Sequence, residues 1–572
     1  MSRWDWQLRA QPPAVERLST ALPPLVGRIL WTRGFRHQQS IREFLHPNYE
    51  QLDDPFLYRD LDVAVGRLMQ ALTDHEQVTI YGDYDADGIC ATAILVETLT
   101  ALGGRVNWYL PERRAEGYGL NTAAIDTLAA AGTTVLVAVD CGTTNVEEIE
   151  QARQRGLDVM VLDHHLVPPH QPAPLALINP HRPDQTYPFR DHASGGVAFT
   201  LARGLLQAAA DERPPRHSVP PGWGKSLLDL VAIATVADLM PLVGENRILV
   251  HYGLQAFRQT RRPGLRALFT VMGSDLQQVR ETTIGYQVAP RLNAAGRLQH
   301  AGTALRLLLA RQTDEARSLA EELQRINLER QRLTELAVLE AMDQVTRQGS
   351  QLGYVAYAPH WSPGILGLIA GRLVERVWRP VVVMTDSGEQ VVGSGRSVPG
   401  FDLTAHLRSG EHHFQRFGGH AGACGFTLVS KDQRSVFSHW FRESLRSDDE
   451  ARPKPQRPLF IDTEATLVDL TPDVFDGIER LAPFGVGHER PKIQLSGIRP
   501  VEVRTVGNDD HHLRLTGRQA GQLGQFIGFR LGPRKGEIHP NQSVDLVVEP
   551  RWDDWQGRRV PQLTIIDFRP GQ

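Results

Sequence analysis

At 572 residues the chain is too long for a single ordinary core, so two or three domains are expected. Lys+Arg 62 against Asp+Glu 66 leaves a net charge of -4, which excludes a globally basic nucleic-acid binder and allows only a local basic groove beside an acidic centre. Three cysteines, Cys90, Cys141 and Cys424, lack zinc-like spacing and are too few for a disulfide framework, and no run approaches the roughly twenty apolar residues of a membrane span; a soluble cytoplasmic protein is expected, its thiols buried fillers.

Residues 1–60, with Trp4, Trp6 and Trp31 among prolines and arginines, read as an N-terminal wrap. Val65, Leu68, Met69 and Leu72 then recur at helical spacing, and Val78-Thr79-Ile80-Tyr81 follows as a strand. That strand ends in Gly82-Asp83-Tyr84-Asp85-Ala86-Asp87-Gly88, three aspartates in five residues. So much like charge persists by sharing a hard divalent cation, or else marks an acidic surface turn. A calcium loop is excluded, because its twelfth position, which demands a bidentate Glu, is Ile94, and a strand precedes it where a helix is required. Gly88 is expected to open a helix over 89–102.

The pattern repeats downstream. Thr134 to Val139 is an unbroken apolar run of the kind buried on both faces, and it ends at Asp140-Cys141-Gly142. A helix over about 145–155 and a third strand over 158–162 follow, ending at Asp163-His164-His165. Alternating strands and helices predict a doubly wound parallel sheet spanning 61–265, with ligands beyond the carboxyl ends of the strands. The stretch 227–238 is apolar almost all round, a buried helix, and delivers Asp238, whose plainer reading is a helix cap.

The segment 266–350 carries Arg291-Leu292-Asn293-Ala294-Ala295-Gly296-Arg297 and a long connecting helix over 313–347, which reaches about 50 Å and can join two lobes. Its stripe is Ala316, Leu319, Leu323, Ile326, Leu333 and Leu336. Residues 351–450 form a second α/β domain with Gly393-Ser394-Gly395-Arg396-Ser397 and Phe417-Gly418-Gly419-His420-Ala421. Glycine turns beside an Arg and a His let backbone N–H groups approach a phosphate, although most such turns are only turns. A linker at Arg452 to Pro458 leads to short alternating strands over 456–572, a β-barrel of the OB type. There Arg514, Arg530, Arg534, Lys535 and Arg551 interleave with Phe526, Phe529, Trp552 and Trp555. They suit a groove where bases stack, unless the aromatics fill the barrel.

Asp85, Asp87, Asp140, His164 and Asp238 come from separate segments and suit Mn2+ or Mg2+ better than zinc. Two such ions sharing a carboxylate, with Asp140 as the candidate, generate a hydroxide and neutralise an in-line phosphoryl transition state. Asp163 is placed to orient a neighbouring histidine.

The motifs GDYDADG at 82–88, EGYGL at 116–120, VDCG at 139–142, DHH at 163–165, ATVADLMPL at 234–242, RLNAAGR at 291–297, GSGRS at 393–397 and FGGHA at 417–421 resemble, in order, those of the DHH phosphoesterases. Within that family the chain is similar to the bacterial single-strand-specific 5′ to 3′ DNA exonucleases, from about residue 18 into the barrel. The resemblance implies a metal-dependent exonuclease of DNA repair and recombination, releasing 5′-mononucleotides. It implies metal ligands at Asp85, Asp87, Asp140, His164 and Asp238, catalytic roles for His165, Asp140 and Asp163, and His165 beside the scissile phosphate. It also implies DNA contacts at Arg113, Arg291, Asn293, Arg297, Ser394, Arg396, Gly419 and His420, a monomer, and a helicase and single-strand-binding protein as partners. Many relatives place His where this chain has Tyr81, so either Asp83 substitutes as a ligand or the first metal site is weaker. The alternatives are a phosphodiesterase of short oligonucleotides or cyclic dinucleotides, and a binding protein with a retired site; an intact set of clustered carboxylates argues against the latter.

Overall fold

The computed structural model describes residues 4–12, 22–113, 115–213, 216–447, 457–555 and 558–571. The chain divides into two units, Tyr49–Pro453 and Met1–Asn48 with Lys454–Gln572.

In the first unit, five parallel strands lie in the order Arg105–Tyr109, Gln77–Tyr81, Val135–Val139, Asp158–Leu162, Ala176–Ile178. All five residues of the central strand are buried, as its unbroken apolar run requires when helices cover both faces. The outer strands Arg105–Tyr109 and Ala176–Ile178 were not anticipated; the first is a half-exposed edge and the second only three residues long. The helix after the aspartates spans Ala86–Ala101 and starts earlier than Gly88 suggested, because Asp85 caps it. The helices Ser194–Asp211 and Leu228–Ala237 meet at Gly195, where a Cβ would stand 2.4 Å from that of Ala234.

The connecting helix is Thr313–Arg347, as its periodicity predicts. Leu319, Leu323 and Ile326 join the core of the first α/β domain, and Ala337, Val338, Ala341 and Val345 that of the second, so one helix ties both together. Leu336 departs from the expected stripe and is 55% exposed, since the buried face shifts where the helix changes partner.

The second α/β domain holds a mixed sheet, in order Phe414–His420, Ala423–Leu428, Gln390–Arg396, Val381–Ser387, Tyr354–Tyr357, with only the last pair parallel. The two glycine clusters expected as turns are strands. A Cβ on Gly393 would lie 2.1 Å from the Phe426 ring and one on Gly395 2.6 Å from Cys424 Sγ, so these glycines admit cross-strand packing. Gly419 and His420 sit on the exposed edge strand instead, Gly419 at φ +148°.

The second unit closes a five-stranded barrel: Ile493–Val506, His512–Gln519, Gln522–Gly528, Arg558–Pro570, Val544–Trp555 and back to the first strand. Residues 4–12 and 22–48 are part of this unit rather than a separate wrap over 1–60. Trp4–Leu8 pairs in parallel with Arg457–Ile461, Arg33 grips Asp462 through two hydrogen bonds of 2.8 and 2.9 Å, and Val26, Ile29 and Leu30 are buried in the barrel's core. The expected linker lies outside the described residues up to 456, and Arg457 and Pro458 already belong to a strand. Deleting 459–572 alone is therefore expected to strand Val26, Ile29 and Leu30 in water and give aggregated protein. Deleting 1–48 together with 454–572 should leave a monodisperse core; equal behaviour of the two truncations in size-exclusion chromatography would refute this.

Part of the expected stacking groove is barrel interior. Phe526 is buried in the core, Arg534 is held by Asp567 at 2.6 Å and Glu537 at 3.0 Å, and Arg551 by Glu549 at 3.2 Å. Trp552 leans on Phe475, its Nε1 donating to Asp476. Phe529, Arg514, Arg530 and Lys535 remain exposed, and the Trp555 side chain lies outside the described residues. Among the described residues no helix is long and apolar enough to cross a membrane, and the three cysteines are buried free thiols.

Candidate metal centre

The acids converge because the strand end, helix starts and helix end that carry them gather at the carboxyl edge of the parallel sheet. Asp85 caps the helix Ala86–Ala101, its Oδ1 accepting the N–H groups of Asp87 at 2.9 Å and Gly88 at 3.2 Å. Asp87, in the first turn of that helix, accepts two backbone N–H groups from another helix's N-terminus, Ser194 at 2.8 Å and Gly195 at 2.7 Å. Asp140 leaves the central strand at φ +62°, a conformation Asp tolerates better than most residues, and takes the Ser194 hydroxyl at 2.8 Å. Asp238 is the C-cap residue of Leu228–Ala237.

These groups meet at His164. Its Nε2 lies 3.4 Å from Asp140, 3.5 Å from Asp238 and 3.8 Å from Asp87. Ligand atoms of Asp83, Asp85 and Asp140 lie within 4.8 Å of one another, as do those of Asp87, His164 and Asp238, and of Asp140, His164 and His165. Asp140 thus sits in two of the three groups. Asp83 Oδ1 is buried without a hydrogen-bond partner, an orphan acceptor aimed at the carboxylates, and the donor set of oxygens with one imidazole fits a hard divalent ion. Tyr81 does not join the acids as a ligand would. Its hydroxyl turns away, donating to Gly119 O and accepting from Asn121, where it braces the EGYGL loop.

Burial, followed by the neighbouring carboxylates, pushes Asp83, Asp87 and Asp140 well above the usual range, and Asp238 is carried up to about 7 by burial and Asp85. Crowded carboxylates of this kind ionise together only around a cation. Burial, with the charge of His165, holds His164 down to about 4, leaving it neutral with a free lone pair. Asp163 accepts the backbone N–H groups of His164 and His165 and, at 2.7 Å, His165 Nδ1. Its other oxygen accepts the Thr143 N–H at 3.2 Å, so both oxygens are engaged within the protein and the carboxylate is placed to orient His165. Burial alone would lower His165, but the hydrogen bond and charge of Asp163, with Asp238 and Asp83 behind, raise it to about 9. Tyr118, which sequence reasoning passed over, lies with its hydroxyl 3.1 Å from His165 Nδ1.

A raised histidine stabilises the fold fully below its ordinary 6.5 and loses that contribution as pH rises through about 9. Asp163, held low, contributes constantly across this window. Protein stripped of divalent ions should therefore lose stability between pH 6.5 and 9, with the His165 resonance titrating near the upper end, and Asp163→Asn should flatten both curves. An unchanged midpoint in the variant would sink the pairing.

Opposite the acids stand arginines. Burial and the charges of Arg113 and Arg330 pull Arg297 down to about 10, and burial with Arg113 lowers Arg396. Arg396 hydrogen-bonds Ser394 and Gly395 O, Arg297 donates to Gly364 O, and Arg113 lies over the Tyr84 ring. These partners are neutral, which leaves the positive charge for an anion. His420 stacks toward His165 at 6.4 Å, so the second α/β domain faces the centre. Two residues expected at the DNA also make hydrogen bonds within the protein. Asn293 Oδ1 accepts Ala86 N–H at 2.7 Å, and Arg291 donates to Gln324 and Gln287 O. The RLNAAGR helix, Ala289–Leu298, buttresses the aspartate loop, and Gly296 is required because a Cβ there would meet Tyr84 O at 2.4 Å.

Residues 77–235 match the DHH family N-terminal domain, 351–446 the DHHA1 domain and 461–567 the RecJ OB domain. The chain is 35% identical over 572 residues to the single-stranded-DNA-specific exonuclease RecJ of Bacillus subtilis, covering 99% of this chain and 70% of that one. It is 33% identical over 580 residues to RecJ of Dickeya dadantii, covering 99% of both. The crystal structure of RecJ in complex with Mn2+ from Thermus thermophilus superposes with a TM-score of 0.84 at 29% identity, over 100% of this chain and 80% of that one; the Mg2+ complex gives 0.78 at 28%, over 100% and 79%.

Proposed function

The chain belongs to the RecJ family of DHH phosphoesterases, and from that membership we propose that it is a divalent-metal-dependent exonuclease specific for single-stranded DNA, acting in repair and recombination. The observation that carries the reading is the convergence of buried carboxylates and His164 on a face opposed by arginines bonded to neutral groups. Asp83, Asp85 and Asp140 would hold one cation, and Asp87, His164, Asp238 and again Asp140 a second. When bound, the cations activate water and neutralise charge on the phosphoryl group. His165, held cationic by Asp163, contributes positive charge beside the scissile phosphate, while Ser194 and Gly195 fix the carboxylates through hydrogen bonds.

Arg396, Ser394 and Arg113, with the edge strand at Gly419 and His420, grip a terminal 5′-phosphate, so that cleavage proceeds 5′ to 3′ and releases mononucleotides. A nuclease restricted to single strands needs its substrate exposed, which calls for a helicase and a single-strand-binding protein as partners. One chain supplies every proposed ligand, so a monomer suffices, and the place of action is the cytoplasm, where the DNA lies. Digestion of a strand labelled at either end with Mn2+ tests the whole reading: a ladder from the 3′ end, or attack on blunt duplex at an equal rate, would refute it.

A further inference from the structure

The helix bearing Asp238 ends in a hydrogen-bond pattern that calls for glycine. Met240 N–H bonds Thr235 O at 3.0 Å and Leu239 N–H bonds Val236 O at 3.3 Å, the paired closure in which the residue after the cap is left-handed. That residue is Leu239, at φ +57°, and its side chain is 70% exposed. It therefore carries two costs at once, backbone strain and a bare aliphatic side chain, next to a proposed ligand. Strain of this sort points to a use. Leu166, which follows His165, is 63% exposed as well. The segments carrying the two leucines meet at the centre, where His164 Nε2 and Asp238 Oδ2 are 3.5 Å apart.

We propose that Leu239 and Leu166 form an apolar shelf for the nucleobase flanking the scissile phosphodiester. This rests on the function proposed above. The phosphates face the cations and arginines, so the bases must project to the rim, where every base offers a flat face and an aliphatic surface holds it by apolar burial, without reading sequence. The shelf spaces the strand so that successive phosphodiesters register over the centre. Its chemical preference is for any intact base over none.

The test compares single strands carrying an intact base or an abasic residue at the first or second position of the attacked end. Wild type is expected to show a KM about fivefold lower for the intact strand, since removing roughly 40 Å² of apolar area from water as one base face covers the leucines contributes a factor of this order. In Leu239→Gly combined with Leu166→Ala the ratio should fall toward one. Leu239→Gly alone should also raise Tm by about 1 °C, because glycine relieves the left-handed strain. A preserved ratio in the double variant, or a wild type indifferent to the abasic residue, overturns the shelf. A lowered Tm for Leu239→Gly also overturns it, by showing the side chain to be packing. A wild-type protein that degrades no single strand at all overturns the function itself, and is distinguished by failing on the intact strand.

Discussion

Asp140→Asn is expected to lower strand cleavage by about a thousandfold or more while affinity for a single strand changes little. Asp140 belongs both to the group with Asp83 and Asp85 and to the group with His164, so losing its charge impairs both proposed cations at once. Asparagine keeps the volume and can still accept the Ser194 hydroxyl, so the fold is spared. Metal-induced stabilisation provides the independent readout. Manganese should raise Tm of the wild type strongly, since a cation offsets the burial and the mutual repulsion that push Asp83, Asp87 and Asp140 upward, and the variant should show a much smaller rise. Retention of a tenth of wild-type turnover at saturating manganese would remove Asp140 from the centre.

Arg396→Ala should reduce the preference for 5′-phosphorylated over 5′-hydroxyl strands by about tenfold or more, the worth of one charge-assisted pair. A terminal phosphate differs from an internal one by extra charge and a third free oxygen. Arg396 is half-buried and anchored by Ser394 and Gly395 O, which holds the guanidinium ready before substrate arrives. Arg113 and Arg297 lie near enough to raise the electrostatic cost of the empty pocket, and a dianion would offset it. Metal binding should be unaffected, because Arg396 is held by Ser394 and Gly395 rather than by the clustered carboxylates. An unaltered ratio between the two strand ends would move the phosphate pocket elsewhere.

Asn293 has a structural partner that its own motif does not announce. Within RLNAAGR, an Asn beside two arginines reads as a DNA contact, and in the folded chain its carbonyl oxygen also accepts Ala86 N–H and steadies the aspartate loop. The partner is 207 residues away, and no local pattern encodes that distance. Ser194 was overlooked for the same reason. Ser-Gly-Gly before an apolar run signals a helix start, but not that its hydroxyl and N–H would meet Asp140 and Asp87. The barrel aromatics divided similarly, since alternation identifies a strand without saying which of its faces is covered: Phe526 is core and Phe529 is exposed.

What the chain order alone made legible is what short-range physics encodes. Unbroken apolar runs ending in acids marked buried parallel strands with ligands at one edge, and a 35-residue amphipathic pattern marked the helix Thr313–Arg347. Clustered carboxylates with a single type of imidazole donor implied hard divalent ions. The closed fold decided which of those groups share a site, that Asp163 serves His165, that the glycine clusters are strands under Phe426 and Cys424, and that the N-terminal segment completes the barrel's core. The reason is physical: propensity, periodicity and charge act over a few residues, whereas hydrogen bonds between distant segments, close packing at a glycine and the left-handed turn at Leu239 exist only once the chain has closed on itself.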